Sequence, residues 1–156
     1  MMIRRAIPTD IERINDLLFQ VSRVHCDGRP DIFKKDSKKY TDEELISIIS
    51  DDSTPVFVAT DDKGYVLGYA FCIYREVKDS NLLHDMKTLY IDDLCVDEDM
   101  RGRHIGKELY EYVLKEAKKS GCYRITLNVW QLNAPAMRFY EKCGLSPLKT
   151  EMEQIL

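Results

Sequence analysis

Three long apolar segments follow one another through the middle of the chain, between residues 55 and 96. The first two lie in PVFVATDDKGYVLGYAFCIYREV, where D-D-K-G separates two apolar runs. Apolar runs joined by a turn sequence of this kind predict an antiparallel hairpin. Residues Met86–Val96 predict a third long strand. We therefore expect the fold to be organised around a sheet that begins with antiparallel strands.

Helical patterns precede and follow these strands. MIRRAI predicts a short first strand, after which Thr9 and Glu12 have the spacing of a capping box at the start of a helix. Residues 26–40 are polar and interrupted by Gly28 and Pro30, which predicts a loop. Thr41–Ser50 predicts a second helix, again with a capping box formed by Thr41 and Glu44.

In the second half of the chain, a helix is predicted from about His104 to about Ser120. CYRITLNV then predicts a strand, Asn133–Cys143 a short helix, and LKTEMEQIL a final strand. The order of elements is typical of the α/β (α+β) class. We expect a single mixed, mostly antiparallel sheet of roughly six to seven strands with about four flanking helices.

Composition limits the classes of function. The formal net charge is −4, which gives no electrostatic reason to expect nucleic acid as the main partner. No apolar run approaches the roughly 18 residues of a membrane span, and the start lacks a signal-peptide core, so we expect a cytoplasmic protein. The five cysteines contain no C-x-x-C pair and the three histidines lack ligand spacing, so no metal site is expected.

The segment RGRHIGK, residues 101–107, places cationic side chains directly before a helix. The first turn of a helix has unpaired N–H groups and a positive dipole end, and normally attracts acidic residues. A glycine-containing turn between a strand and a helix could aim these N–H groups at one phosphate. The alternative is a solvated basic turn whose charges balance the acidic residues Asp97, Glu98 and Asp99.

Two motifs resemble those of the GNAT N-acetyltransferase superfamily. The first is its acetyl-CoA pyrophosphate loop, in which Arg101 and Gly106 match the end positions and His104 stands where a glycine is usual. The second is Asn-x-x-Ala-x-x-Phe-Tyr-x-x-x-Gly-Phe, with Leu145 in place of the last residue. The matching residues of this second motif are Asn133, Ala136, Phe139, Tyr140 and Gly144.

This resemblance implies a single N-acetyltransferase domain over residues 1–156, with acetyl-CoA as co-substrate. It implies that Tyr140 lies beside the coenzyme sulfur, that Asn133 contacts the coenzyme, and that backbone groups of one strand pair with the pantetheine arm. The strand residues are Leu94, Cys95 and Val96. The predicted diphosphate loop consists of Arg101, Gly102, Arg103, His104, Ile105, Gly106 and Lys107.

Tyr140 is the predicted general acid of acetyl transfer. An alkylamine has a pKa near 10.4 and a thiol one near 8.5, so the amine must lose a proton and the departing thiolate benefits from gaining one. A tyrosine hydroxyl is a neutral donor at pH 7. The alternative is that Tyr140 is only a core aromatic of a short helix, beside Met137 and Cys143.

Asp92 and Asp93 are the predicted base or acceptor ligands, because adjacent carboxylates are unusual inside an apolar strand. Strand alternation predicts that they point to opposite faces. Alternatively, each bonds a neighbouring loop or a cationic side chain. YIDDLCV is also similar to a strand of diamine N-acetyltransferases, whose acidic residue lies where Asp92 does. Cys95 could be an acetylated nucleophile, but no adjacent histidine activates it, and a buried inert thiol is the favoured interpretation.

We therefore predict an acetyl-CoA-dependent N-acetyltransferase that acetylates a primary amine of a small cationic acceptor by direct attack. The alternatives are an enzyme for peptide or protein amines, and a non-catalytic acyl-CoA-binding regulatory module. Asp27, Asp31 and Tyr40 are candidates for the acceptor side. Aromatic residues of the hairpin could line the pocket, pack in the core or form a homodimer surface; they are Tyr65, Tyr69, Phe71 and Tyr74.

Overall fold

A five-stranded sheet forms the centre of the computed structural model, which describes residues 1–156. The strands lie side by side in chain order; the first three pairings are antiparallel and the last is parallel. The strands are β1 (Met2–Arg5), β2 (Val56–Thr60), β3 (Val66–Val77), β4 (Met86–Val96) and β5 (Arg124–Leu127). The helices are α1 (Ile11–Gly28), α2 (Asp42–Ser50), α3 (Ile105–Lys119) and α4 (Ala134–Lys142).

Two hydrophobic cores lie on opposite faces of this sheet. Alternation along β2 sends Val56 and Val58 toward α1 and α2, whereas Phe57 and Ala59 point toward α3. Apolar residues at helical spacing complete both cores. None of the helices is both long and apolar enough to cross a membrane.

The mixed α/β class is confirmed, but the predicted count of six to seven strands is wrong, because the sheet has five. The predicted final strand, LKTEMEQIL, has no regular structure. Its apolar side chains stay exposed, at 68% for Leu148, 85% for Met152 and 76% for Ile155. Ordering a strand costs conformational entropy, and here no apolar burial would offset that cost.

The helix boundaries follow the sequence with two corrections. Thr9 does not cap α1; the neighbouring Asp10 is buried instead and accepts hydrogen bonds from the Arg4 guanidinium at 2.7 and 2.9 Å and from the Ile7 N–H at 2.9 Å. Helix α1 continues to Gly28, so the irregular segment starts at residue 29 rather than 26. The capping box of α2 is confirmed, with Thr41 and Glu44 bonded reciprocally.

The sheet opens between β4 and β5. These strands pair only from Thr88 and Arg124 to Ile91 and Leu127. Beyond Ile91, residues 93–96 of β4 pair with β3 on one side, and no strand covers the other side. A free strand edge presents unpaired backbone N–H and C=O groups. The fold therefore creates an open, polar edge at the carboxyl end of β4.

The end of β4 is fixed to α1 by Asp97. This buried carboxylate binds the Arg13 guanidinium and accepts a hydrogen bond from Gln20 Nε2 at 3.3 Å. Arg13 Nε also donates to the carbonyl of Val66 in β3 at 3.2 Å. One arginine thus connects α1, β3 and the residue that follows β4.

We expect Asp97→Ala to lower the free energy of unfolding by about 3 kcal/mol, because it removes the buried partner of the partly buried Arg13 and leaves only the exposed Asp16. Asp99→Ala is the matched control, since Asp99 is exposed two residues away, and it should change stability by less than about 0.5 kcal/mol. Urea unfolding of both variants measures the difference. Equal effects would show that the Arg13–Asp97 pair does not hold this corner of the fold.

Candidate active site

A cleft of about 1080 Å³ occupies the opening between β4 and β5. Residues 92–96 of β4 form one wall, and residues 127–130 at the end of β5 form another. The first turn of α3 and one side of α4 line one part of the cleft. The second half of α1 and the segment after it line the remaining part.

The start of α3 carries an unsatisfied set of backbone donors. The N–H groups of residues 102–107 donate to no protein acceptor, and the first N–H bond of the helix comes from Glu108 to the carbonyl of His104 at 3.0 Å. Gly102 and His104 both have left-handed backbone conformations, with φ of 79° and 63°. Consecutive free N–H groups at a helix start suit an anion such as a diphosphate.

The basic side chains of this loop do not pair with the acidic residues before it. Asp97 binds Arg13, and Glu98 lies 3.6 Å from Arg23, both on α1. No ion pair therefore supports the alternative of a basic turn that balances these acidic residues. Among the loop residues, Arg103 does not line the cleft. Those that do are Arg101, Gly102, His104, Ile105, Gly106 and Lys107.

Helix α4 brings two predicted residues to the cleft. Asn133 caps the helix, since its Oδ1 accepts a hydrogen bond from the Ala136 N–H at 3.2 Å. Tyr140 lines the cleft, and its hydroxyl has no protein partner. Burial, and then the charge of Asp93, raise the pKa of Tyr140 well above its ordinary value. The hydroxyl therefore stays protonated at neutral pH and remains a free donor.

A β-bulge decides the directions of the two aspartates. Phe71 of β3 lies opposite Asp93 and Cys72 lies opposite Ile91, so Asp92 is the extra residue. Both carboxylates line the cleft and both bond to side chains on the α1–α2 face of the sheet. The prediction that they point to opposite faces is wrong, because the bulge interrupts the alternation.

The two carboxylates have different environments. Asp93 accepts a hydrogen bond from the Tyr69 hydroxyl at 2.8 Å, and burial raises its pKa from 3.8 to about 6. Asp92 lies 2.6 Å from the Lys39 ammonium and also binds the Tyr40 hydroxyl. Asp93 is thus the carboxylate suited to exchange a proton near neutral pH. Asp92 is neutralised by an ion pair.

The thiol of Cys95 is buried and unreactive, and Cys95 lines the cleft along the edge of β4. Its side chain is buried, with Sγ 3.8 Å from the carbonyl oxygen of Leu17, and burial raises the pKa of the thiol to about 12. A thiol with such a pKa is not a nucleophile at neutral pH. Leu94, Cys95 and Val96 all line the cleft along the open edge of β4.

Several residues predicted near the acceptor lie elsewhere. Asp27 and Asp31 do not line the cleft, and Asp31 binds Arg29 instead, at 2.7 Å. The hairpin aromatics do not line it either, so that interpretation is wrong. Tyr69 and Phe71 pack in the core, as the alternative interpretation predicted.

Other cleft residues were missed from sequence. Phe33 packs against His25 at 4.9 Å and against Trp130 at 5.1 Å between ring centroids, which joins α1, the irregular segment and the residues after β5. Lys39 is a further missed residue. Trp130 could have been suspected, because it is the only tryptophan and precedes the Asn133 motif. Nothing in the polar segment distinguishes Lys39 from its neighbouring lysines.

Similarity to known proteins identifies the protein family of this chain. The model of the acetyltransferase (GNAT) family matches residues 19–145. The chain belongs to this family. It is an N-acetyltransferase, and acetyl-CoA is its co-substrate.

Two of the similar proteins have names that specify an acceptor, and the two acceptors differ. The glucosamine 6-phosphate N-acetyltransferase of Arabidopsis thaliana is 28% identical over 117 residues, which cover 75% of this chain and 68% of that protein. The tetramutant of the BH1408 protein from Bacillus halodurans is 29% identical, with a TM-score of 0.96 over 100% of both chains. The aminoglycoside N-acetyltransferase AAC(6')-Iy, solved in complex with CoA, shares the fold at 17% identity, with a TM-score of 0.71 over 99% and 98% of the chains.

We expect His104→Gly to stabilise the protein by about 1 kcal/mol, because glycine adopts the left-handed conformation without steric cost. The His104 side chain makes no capping hydrogen bond that would be lost. Gly102→Ala is the matched control and should destabilise by about 1 kcal/mol, since an added Cβ meets no atom within 4 Å and only the backbone is strained. Thermal unfolding measures both; stabilisation by Gly102→Ala would contradict this account of the loop.

We expect Asp93→Asn to stabilise the protein at neutral pH. The folded-state pKa of about 6 exceeds the ordinary 3.8, so folding favours the protonated carboxyl, and its stability contribution is lost as pH rises through 6. The increase in the free energy of unfolding caused by Asp93→Asn should therefore develop between pH 4 and pH 6 and reach about 1–3 kcal/mol above pH 6. Chemical unfolding across pH measures it.

Asp92→Asn is the matched control for this prediction. It removes the charge that binds Lys39 and Tyr40 and should not stabilise the protein at any pH. A pH-independent effect of Asp93→Asn would show that the carboxyl is not shifted by burial.

Proposed function

We propose that the protein transfers the acetyl group of acetyl-CoA to a primary amine of a small cationic acceptor, by direct attack in a ternary complex. The observation that carries this proposal is one cleft that holds a carboxyl with a pKa of about 6, Asp93, and an unpartnered hydroxyl donor, Tyr140. The open edge of β4 lies between the diphosphate loop and the irregular segment after α1.

The residues present fit acetyl-CoA. The free N–H groups of residues 102–107 would donate hydrogen bonds to the diphosphate, and Arg101 and Lys107 add positive charge beside them. Leu94, Cys95 and Val96 offer unpaired backbone groups, which would pair with the amides of the pantetheine arm as an added strand does. An N–H group of this edge would stabilise the negative charge that develops on the carbonyl oxygen.

Each proton transfer has a candidate residue. Asp93 would take the proton of the acceptor ammonium, directly or through water, because its pKa of about 6 leaves it ionised at neutral pH. The amine nitrogen then bonds to the thioester carbonyl carbon, and the carbon–sulfur bond breaks. Tyr140 would donate its proton to the departing thiolate. The second proton that the bonded nitrogen loses would return to Tyr140, directly or through water. Because the Cys95 thiol is buried and stays protonated, the proposed reaction does not pass through an acetylated cysteine.

The charge of the acceptor side supports a cationic amine. Asp92 and Asp93 are adjacent in the cleft wall, and Asp92 already binds an alkylammonium, that of Lys39, at 2.6 Å. A second candidate is an amino sugar phosphate. It is favoured by the 28% identity to glucosamine 6-phosphate N-acetyltransferase, and by the position of Lys38 and Lys39 at the cleft, where they could bind a phosphate.

An acceptor panel tests the proposal. Release of CoA is measured with spermidine, a lysine-containing peptide and glucosamine 6-phosphate, at matched concentrations. We expect kcat/KM to be highest for spermidine. Highest activity with glucosamine 6-phosphate would support the second candidate, and highest activity with the peptide would support a protein acceptor. CoA binding without turnover of any amine would reject the proposal in favour of a binding module.

We expect Tyr140→Phe to lower kcat by about 100-fold or more, because a positioned general acid contributes this much. Binding of CoA should be unchanged, since the ring remains and only the unpartnered hydroxyl is removed. Tyr110→Phe is the control, because Tyr110 is a buried tyrosine of α3 that does not line the cleft. Full activity of Tyr140→Phe would remove Tyr140 from the mechanism.

A further inference from the structure

Lys39 places a primary amine on the acceptor side of the cleft. Its Nζ lies 2.6 Å from Asp92 Oδ2, a contact that spans 53 residues of sequence. The Asp92 side chain is only 16% exposed, and the Lys39 side chain is 45% exposed. Lys39 therefore enters the cleft from the irregular segment and binds the carboxylate that an acceptor ammonium would bind.

The positive charge of Lys39 affects the pKa of two other groups that line the cleft. It lowers the pKa of Asp93, opposing burial, and it lowers the pKa of His25, adding to burial. The ammonium is thus close enough to influence the carboxylate that we assign as the base. The negative charge of Asp93 in turn adds to burial in raising the pKa of Tyr140. The amine, the base and the acid belong to one electrostatically coupled group.

The neighbouring lysine, Lys38, does not bind Asp92. Its Nζ binds Asn15 Oδ1 at 2.8 Å and Asp42 Oδ1 at 2.6 Å, which holds its amine against α1 and α2 and away from Asp92. Lys38 and Lys39 are therefore adjacent lysines with different partners. Only Lys39 presents its amine to the aspartate pair.

We propose that Lys39 is a self-acetylation site, at which the enzyme uses its own side chain as the acceptor amine when no other acceptor is bound. This inference rests on the proposed catalytic use of the cleft. An amine tethered beside the reacting groups has a high effective concentration, so even an imperfectly oriented lysine competes with a dilute acceptor.

The reaction is balanced in the same way as acetylation of an external amine. Lys39 loses one proton to the aspartate pair and its Nζ bonds to the acetyl carbonyl carbon. The bonded nitrogen then loses a second proton, and the carbon–sulfur bond breaks. The thiolate gains a proton, and one proton is released overall. The product amide is neutral, so the ion pair with Asp92 is lost and that carboxylate becomes available to an external ammonium. Loss of the Lys39 charge also removes an influence that lowers the pKa of Asp93.

Mass spectrometry with deuterated acetyl-CoA tests this proposal, because the label distinguishes new acetyl groups from those acquired during expression. The full-length protein is incubated without acceptor and digested with a protease that does not cut at lysine. We expect Lys39 to be labelled about tenfold or more faster than Lys38. The rate constant should not depend on protein concentration, as an intramolecular reaction requires.

Three variants serve as controls. Lys38→Arg should leave the labelling of residue 39 intact, and Lys39→Arg should remove it. Tyr140→Phe should slow it about 100-fold, which separates catalysed from spontaneous acetylation. Thermal unfolding and CoA binding verify that each variant is folded. Labelling at equal rates in Tyr140→Phe, or a rate constant that rises with protein concentration, would overturn the proposal.

The same samples are assayed for acetylation of spermidine. Turnover of spermidine with no selective labelling of Lys39 overturns self-acetylation and leaves the proposed function standing. Labelling of Lys39 without turnover of spermidine, peptide or sugar phosphate supports self-acetylation and rejects the proposed acceptor. Absence of both reactions overturns both proposals.

Discussion

The short pairing between β4 and β5 is the constraint on which the site depends. Two parallel strands that stayed together would satisfy each other's backbone groups and close the sheet. Here they share four residue pairs, and residues 92–96 of β4 keep one edge free. Because Asp97 fixes the end of β4 to α1 through Arg13, this edge stays in position beside the free N–H groups that begin α3. The proposed co-substrate site is therefore defined mainly by backbone polar groups.

The site carries local costs that the two cores offset. His104 adopts a left-handed conformation, six consecutive N–H groups have no protein acceptor, and Asp93 is buried enough to raise its pKa to about 6. Each feature is unfavourable for folding but useful for binding an anion or moving a proton. The hydrophobic cores on the two faces of the sheet extend over β2 and β3, and Tyr69 of β3 connects one of them to Asp93. A stable sheet therefore supports a strained, polar opening at one end.

The acceptor side is built from segments that are far apart in the sequence. Helix α1 supplies His25, the irregular segment supplies Phe33 and Lys39, and the residues after β5 supply Trp130. These side chains line the same cleft as Asp92, whose direction depends on the bulge in β4. Acidic and aromatic groups together form a surface that suits an amine with an alkyl or apolar portion.

The sequence by itself determined the hairpin, all four helices and the family, because apolar periodicity, capping residues and motif spacing are local properties of the chain. It also singled out Tyr140 and the two aspartates as candidates. Only the tertiary structure decided that the last nine residues form no strand, that both aspartates turn to one face, and that Lys39 rather than Lys38 meets Asp92. Those outcomes depend on which distant segments pack together, since strand pairing, a bulge and an ion pair across 53 residues are set by the partner and not by the neighbouring sequence.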